Sequence, residues 1–117
     1  MNWQIKLADP AREDIRRALQ YTLDRFGQMQ HDDYKALIRM ALIDIATSPL
    51  EYPAKKRPEL SPGVLTFHLG RPRQSARHLF VYRVSETDGV VEVARLLYDG
   101  MDLVRHIPRT YQVESGS

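Results

Sequence analysis

HLFVYRVSETDGVVEVARLL, residues 78–97, decides the architecture. From His78 to Val84 the side chains alternate, with Phe80 and Tyr82 on one side and Leu79, Val81 and Arg83 on the other. That is the period of two that a β-strand imposes. Val90 to Leu97 is a second run rich in β-branched residues, which favour strands. Between them lies Glu86-Thr87-Asp88-Gly89, where Asp-Gly supplies the positive φ of a tight hairpin. Working outward, Val64 to Leu69 reads as a third strand, set apart by the turn residues Gly70-Arg71-Pro72-Arg73-Gln74-Ser75. These segments predict a three-stranded antiparallel meander.

Two helices precede it. Asp9 and Pro10 open the first: Asp9 can cap free N–H groups, and proline suits a first helical position. Glu13 and Asp14 favour the positive end of the helix dipole. Ile15, Ala18, Leu19, Leu23 and Phe26 recur at three- and four-residue steps as one stripe, and Gly27 reads as a left-handed C-cap. The second helix runs from about Gln30 to Thr47, with Tyr34, Leu37, Ile38, Ala41 and Ile45 as its apolar face; Ser48-Pro49 stops it. So short a connection predicts an antiparallel helical hairpin. Trp3 to Leu7 is a strand that must join an edge of the meander, and Met101 to His106 is a short C-terminal helix. Helices before strands make an α+β fold, with the hairpin packed on a mainly antiparallel sheet of about four strands. Residues 1–108 are expected as one domain and 109–117 as a frayed tail.

Bulk properties exclude several classes. At 117 residues the chain is long enough for a core without staples, and it contains no cysteine. The N-terminus lacks a secretory pattern, and no stretch has the roughly 20 apolar residues that span a bilayer. A cytoplasmic protein is expected. Net charge is only +2, yet residues 51–83 hold seven Lys/Arg against Glu51 and Glu59, an excess of 7 − 2 = +5. Such asymmetry marks either an anionic partner or a solvated face. The run Lys55-Lys56-Arg57 sits in a proline-rich loop, 49–62, that is long for a compact domain. His31, His68 and His106 show no metal-ligand spacing, and neither a metal nor another cofactor is expected.

The element order and three segments resemble the ParE/RelE toxin superfamily, over roughly residues 3–108. Leu7-Ala8-Asp9-Pro10-Ala11-Arg12-Glu13-Asp14-Ile15 is similar to its opening strand and helix. Arg77 to Val84 is similar to its central strand. Val91 to Leu103 is similar to its closing strand and turn, with Tyr98 at a histidine-like position and Gly100-Met101 where arginines are common. The resemblance leans to ParE. It implies the toxin of a type II toxin–antitoxin pair that inhibits DNA gyrase by binding, not by its own chemistry. It also implies neutralisation by a cognate ParD-like antitoxin in a hetero-oligomer, with nucleic acid contacted mainly through antitoxin or target. Two alternatives stand beside it: a RelE-like ribosome-dependent mRNA endonuclease, and an inactive toxin-like protein that binds antitoxin.

Candidate residues follow from these readings. An endonuclease needs groups to activate a 2′-hydroxyl and stabilise a charged phosphorane; Arg77, Arg83, Arg95 and Tyr98 are the candidates, without a clear acid/base pair. Lys55, Lys56, Arg57, Arg71, Arg83, Arg95 and Arg105 are candidates for target binding. Tyr21, Tyr34, Arg83 and Arg95 are candidates for antitoxin binding, while Phe26 reads as core. Arg83 and Arg95 are expected on one side of the sheet, or paired with Glu86 or Glu92. His78 shares the parity of Phe80 and Tyr82, which reads as a packed, hydrogen-bonded histidine.

Overall fold

A computed structural model describes residues 3–70 and 76–108. Arg71 and the rest of the predicted 71–75 turn, and the 109–117 tail, lie outside the described residues. Strand β1 spans Gln4–Leu7, followed by helices α1 (Asp9–Phe26) and α2 (Gln28–Thr47). Strands β2 (Lys55–Lys56), β3 (Leu65–His68), β4 (His78–Ser85) and β5 (Val90–Tyr98) come next, and a 3₁₀ turn covers Leu103–His106. The α+β order is the one read from the sequence, and the short C-terminal helix is a single 3₁₀ turn.

The sheet has five strands, not four, in the order β1-β5-β4-β3-β2. β3, β4 and β5 form the expected antiparallel meander. β1 joins the free edge of β5, as expected at an edge, and runs parallel to it with Gln4 opposite Val90 and Leu7 opposite Val93. The extra strand is Lys55–Lys56, paired with Thr66 and Leu65. Two residues among prolines carry no periodicity, so only the pairing reveals them.

One residue, Gly27, joins the helices. Its φ of 91° and ψ of −179° fall in a region that essentially only glycine occupies, so it is not the left-handed cap expected. Its N–H donates to the Leu23 carbonyl and its own carbonyl accepts from His31, closing both helix ends. α1 starts without a side-chain cap: Ala8 stands at the cap position and Asp9 is already helical. The Ala8 N–H donates to the Val93 carbonyl, so strand pairing continues up to the helix and dictates its start.

Both faces of the sheet are apolar. Ala11, Ala18, Leu37, Ile38, Ala41 and Ile45 of the hairpin pack on Phe67, Phe80, Tyr82, Val91, Val93 and Leu96. On the opposite face Val64, Leu79, Val81, Ala94 and Leu97 are covered by Leu60 and by Leu103 and Ile107. The helical hairpin therefore covers one of two apolar faces. Among the described residues no helix is long and apolar enough to cross a membrane.

Candidate functional site

The paired ends of β4 and β5 gather most of the polar chemistry. His78 is opposite Tyr98 across the ladder, and both rings meet edge-on with centroids 5.8 Å apart. From α2, the Tyr34 Oη lies 2.5 Å from His78 Nδ1. Burial pushes the His78 imidazole below its ordinary value, against the pull of the Asp99 and Asp14 carboxylates. Burial likewise pushes the Tyr34 phenol up to about 12. Both groups are uncharged at neutral pH, and His78 is packed and hydrogen-bonded.

Asp99 ties two further side chains together, Arg77 and His68. Arg77 Nε donates to Asp99 Oδ1 at 3.2 Å, and its guanidinium lies 4.8 Å from the centre of the Tyr98 ring. His68 Nε2 lies 2.9 Å from Asp99 Oδ2, while the Gly70 N–H donates to His68 Nδ1 at 3.0 Å. Because Nδ1 accepts, Nε2 carries the proton and donates it to Asp99. The His68 hydrogen bond, with Arg77 beside it, holds the Asp99 carboxyl below the usual carboxylate range.

Arg95 is held elsewhere. In the β4–β5 register Val81 faces Arg95 and Tyr82 faces Val93, leaving Ala94 as a bulge. Beyond this irregularity the Arg95 guanidinium closes on Asp14 of α1, with Nε to Oδ2 at 2.7 Å and Nη2 to Oδ1 at 3.0 Å. Asp14 Oδ2 also accepts the Leu96 N–H at 3.0 Å. Arg83, in contrast, stands opposite Glu92. Arg83 thus has Glu92 as its cross-strand partner, one of the two pairings expected, while Arg95 lies opposite Val81 and turns its guanidinium to Asp14. Asp14 therefore acts as an ion-pair partner and not only as a dipole partner.

A cleft of about 660 Å³ opens where the 52–57 loop crosses β3, lined by Tyr52, Lys55, Arg57, Thr66, His68 and Leu79 among others. Arg57 bonds Glu59 at 2.6 Å and Thr66 Oγ1 at 3.4 Å. Tyr52 is 93% exposed. Lys55 lines this cleft, whereas Lys56 lines another of about 460 Å³ with Leu50, Pro58, Leu65, Val84 and Glu86. Arg105 pairs with Asp102 at 3.3 Å, well away from the loop cations in sequence. Arg71 is outside the described residues.

At the tip of the hairpin Tyr21 and Phe26 meet edge-on at 6.4 Å, and Arg25 covers Tyr21 at 5.6 Å. Phe26 is 63% exposed and so is not a core residue, because α1 ends before the sheet reaches it. With Tyr34, Arg77 and His78 these rings line a groove of about 400 Å³. Sequence reasoning missed Asp14, Asp99 and His68 as organisers: their partners are 81, 22 and 31 positions away, and no local spacing signals such pairs. Among the described residues no group of three or more His, Cys, Asp or Glu side chains is placed to hold a metal ion.

Residues 5–103 match the family model described as ParE toxin of type II toxin–antitoxin system, parDE. The fold is similar to that in the chromosomal ParDE system from P. aeruginosa, at 17% identity and a TM-score of 0.65, over 82% of this chain and 95% of that one. It is similar to a mutant of E. coli toxin RelE in the free state, at 17% identity and 0.60, over 97% of each chain. The RelBE2 toxin–antitoxin complex from Mycobacterium tuberculosis matches at 18% identity and 0.56, over 84% of this chain and 99% of that one. No curated protein sequence matches.

Proposed function

The chain belongs to the ParE toxin family of type II toxin–antitoxin systems, and on that footing we propose that it arrests growth by binding DNA gyrase. It acts in the cytoplasm as one toxin domain, residues 1–108, without bond-making chemistry of its own. A cognate ParD-like antitoxin neutralises it in a hetero-oligomer.

One observation carries the choice of binding over catalysis: the groups that RNA cleavage would use are committed to each other. Arg95 is locked on Asp14, Arg77 on Asp99 and the Tyr98 ring, and His68 on Asp99 and Gly70. His78 is half-buried against Tyr34 and uncharged. A general base needs a lone pair within reach of the substrate hydroxyl; a guanidinium has none, and the His68 Nδ1 lone pair is taken by the Gly70 N–H.

The second reading, a ribosome-dependent mRNA endonuclease, is favoured by the 660 Å³ cleft, whose lining carries Lys55, Arg57 and His68 and no carboxylate. Two assays separate them. Added to purified gyrase and relaxed plasmid, the chain should block supercoiling and trap cleaved DNA. Induced without antitoxin, it should arrest growth and switch on a DNA-damage reporter. Arrest with transcripts cut at ribosomes, a silent reporter and unimpaired gyrase would establish the endonuclease instead.

A further inference from the structure

Helix α2 has two apolar sides, and the core uses one of them. Leu37, Ile38, Ala41 and Ile45 are buried in the core beneath the hairpin. On the other side Met29, Asp33, Ala36, Met40, Ile43 and Thr47 are all exposed, Met40 by 55% and Ile43 by 57%. Their spacing is four, three, four, three, four, the 3.5-residue repeat by which two helices keep one seam in contact. Asp33, Met40 and Thr47 take its a positions; Met29, Ala36 and Ile43 take its d positions. Thr47 Oγ1 donates to the Ile43 carbonyl at 2.9 Å, so its hydroxyl stays satisfied inside the helix when the seam is covered.

The charges beside the seam select its occupant and the direction of packing. Arg39 is at a g position and Asp44 at an e position, on opposite flanks. In an antiparallel pair of α2 helices each flank meets the same flank of its mate, so Arg39 faces the Arg39 side and Asp44 the Asp44 side. In a parallel pair the g residue of one helix meets the e residue five positions on in the other. Arg39 then meets Asp44 twice, by symmetry. Asp44 is also engaged within its own chain, and a carboxylate has lone-pair sites for a further donor. The face is thus complementary in charge to a second copy of itself. Asp33 would meet its own mate, so the packed seam runs from Ala36 to Thr47 and the helices part toward their N-termini.

We infer that two copies of the chain associate through the outer faces of α2, parallel about a two-fold axis, with Ala36, Met40, Ile43 and Thr47 packed on their own mates and Arg39 paired with Asp44 of the other copy. None of these side chains lines the cleft beside β3, so the pairing draws on groups separate from those assigned to the target. Four layers of contact cover less than a standard interface, and a dissociation constant of about 10–100 µM is expected.

Sedimentation equilibrium of the purified chain should show a monomer–dimer equilibrium. Arg39→Asp should weaken it about tenfold, and Asp44→Arg likewise, because each alone sets like charges against each other. An equimolar mixture of the two variants should associate again, since each supplies the charge the other lacks. That rescue keeps the test independent of how either variant behaves alone. Asp33→Ala should tighten the dimer. Single cysteines read the register, because the chain has none of its own. Ala36→Cys, Met40→Cys and Ile43→Cys should each give a disulfide-linked dimer on mild oxidation, since parallel mates at a and d positions come within disulfide reach. Lys35→Cys, on the helix flank, should stay monomeric. A chain that is monomeric throughout the expected range overturns the inference. So does linkage confined to one of the three seam cysteines, which marks an antiparallel pair, and so does a mixture that associates no better than its components. A monomeric chain whose Met40→Arg variant loses a co-expressed antitoxin overturns it too, and assigns the face to that partner.

Discussion

Asp14 satisfies three donors with one carboxylate: two from the Arg95 guanidinium and the Leu96 backbone N–H. Its side chain is only 14% exposed and that of Arg95 26%, so removing the acid strands a cation and an amide in poorly solvated surroundings. Asp14→Ala is expected to cost about 2–3 kcal/mol, read as a fall in urea midpoint; Asp14→Asn should cost less, because it still accepts from Leu96. His78 makes a pH prediction. Burial holds its folded proton affinity below the ordinary value of 6.5, so the unfolded chain binds more protons as the solution acidifies. The contribution is complete above about 6.5 and is lost as pH falls toward the folded value. Urea titrations between about pH 5 and 7.5 should show stability declining toward acid, with a flatter curve for His78→Gln; parallel curves would refute the assignment.

At the level of elements, the tightest constraint is the one-residue joint between α1 and α2. Gly27 adopts φ 91° with ψ −179°, and nothing lies within 4 Å of the place where a Cβ would sit. The obstacle to another residue is backbone conformation, not space. Gly27→Ala should therefore cost about 1–3 kcal/mol while leaving helix content by circular dichroism nearly unchanged. The length and type of both helices were legible, since their apolar residues recur at helical steps. The short C-terminal helix was legible as well, though not that it is 3₁₀, because so few residues ahead of a proline cannot distinguish the two kinds. β2 was invisible for a related reason: a two-residue strand acquires its identity from Thr66 and Leu65 opposite.

For the whole molecule, the second apolar face changes the stability argument. Leu79, Val81, Ala94 and Leu97 are kept dry by Leu103 and Ile107, so the short C-terminal turn is part of the core. Leu103→Ala is expected to cost about 2–3 kcal/mol, measured by urea unfolding, against a few tenths for Val104→Ala on the exposed side of the same turn. Sequence alone determined the α+β order, the antiparallel meander, the helical hairpin and the family resemblance, because each rests on periodicity and turn chemistry within a few residues. It also placed His78 among packed residues, by parity with Phe80 and Tyr82. Only the tertiary structure decided that β1 runs parallel at one edge, that β2 lies at the other, and that the β4–β5 register shifts at Ala94. It alone joined Asp14 to Arg95 and Asp99 to Arg77 and His68. The physical reason is common to all of these: strand partners and ion pairs join residues distant along the chain, and a local pattern records which face a side chain takes but not what it meets there.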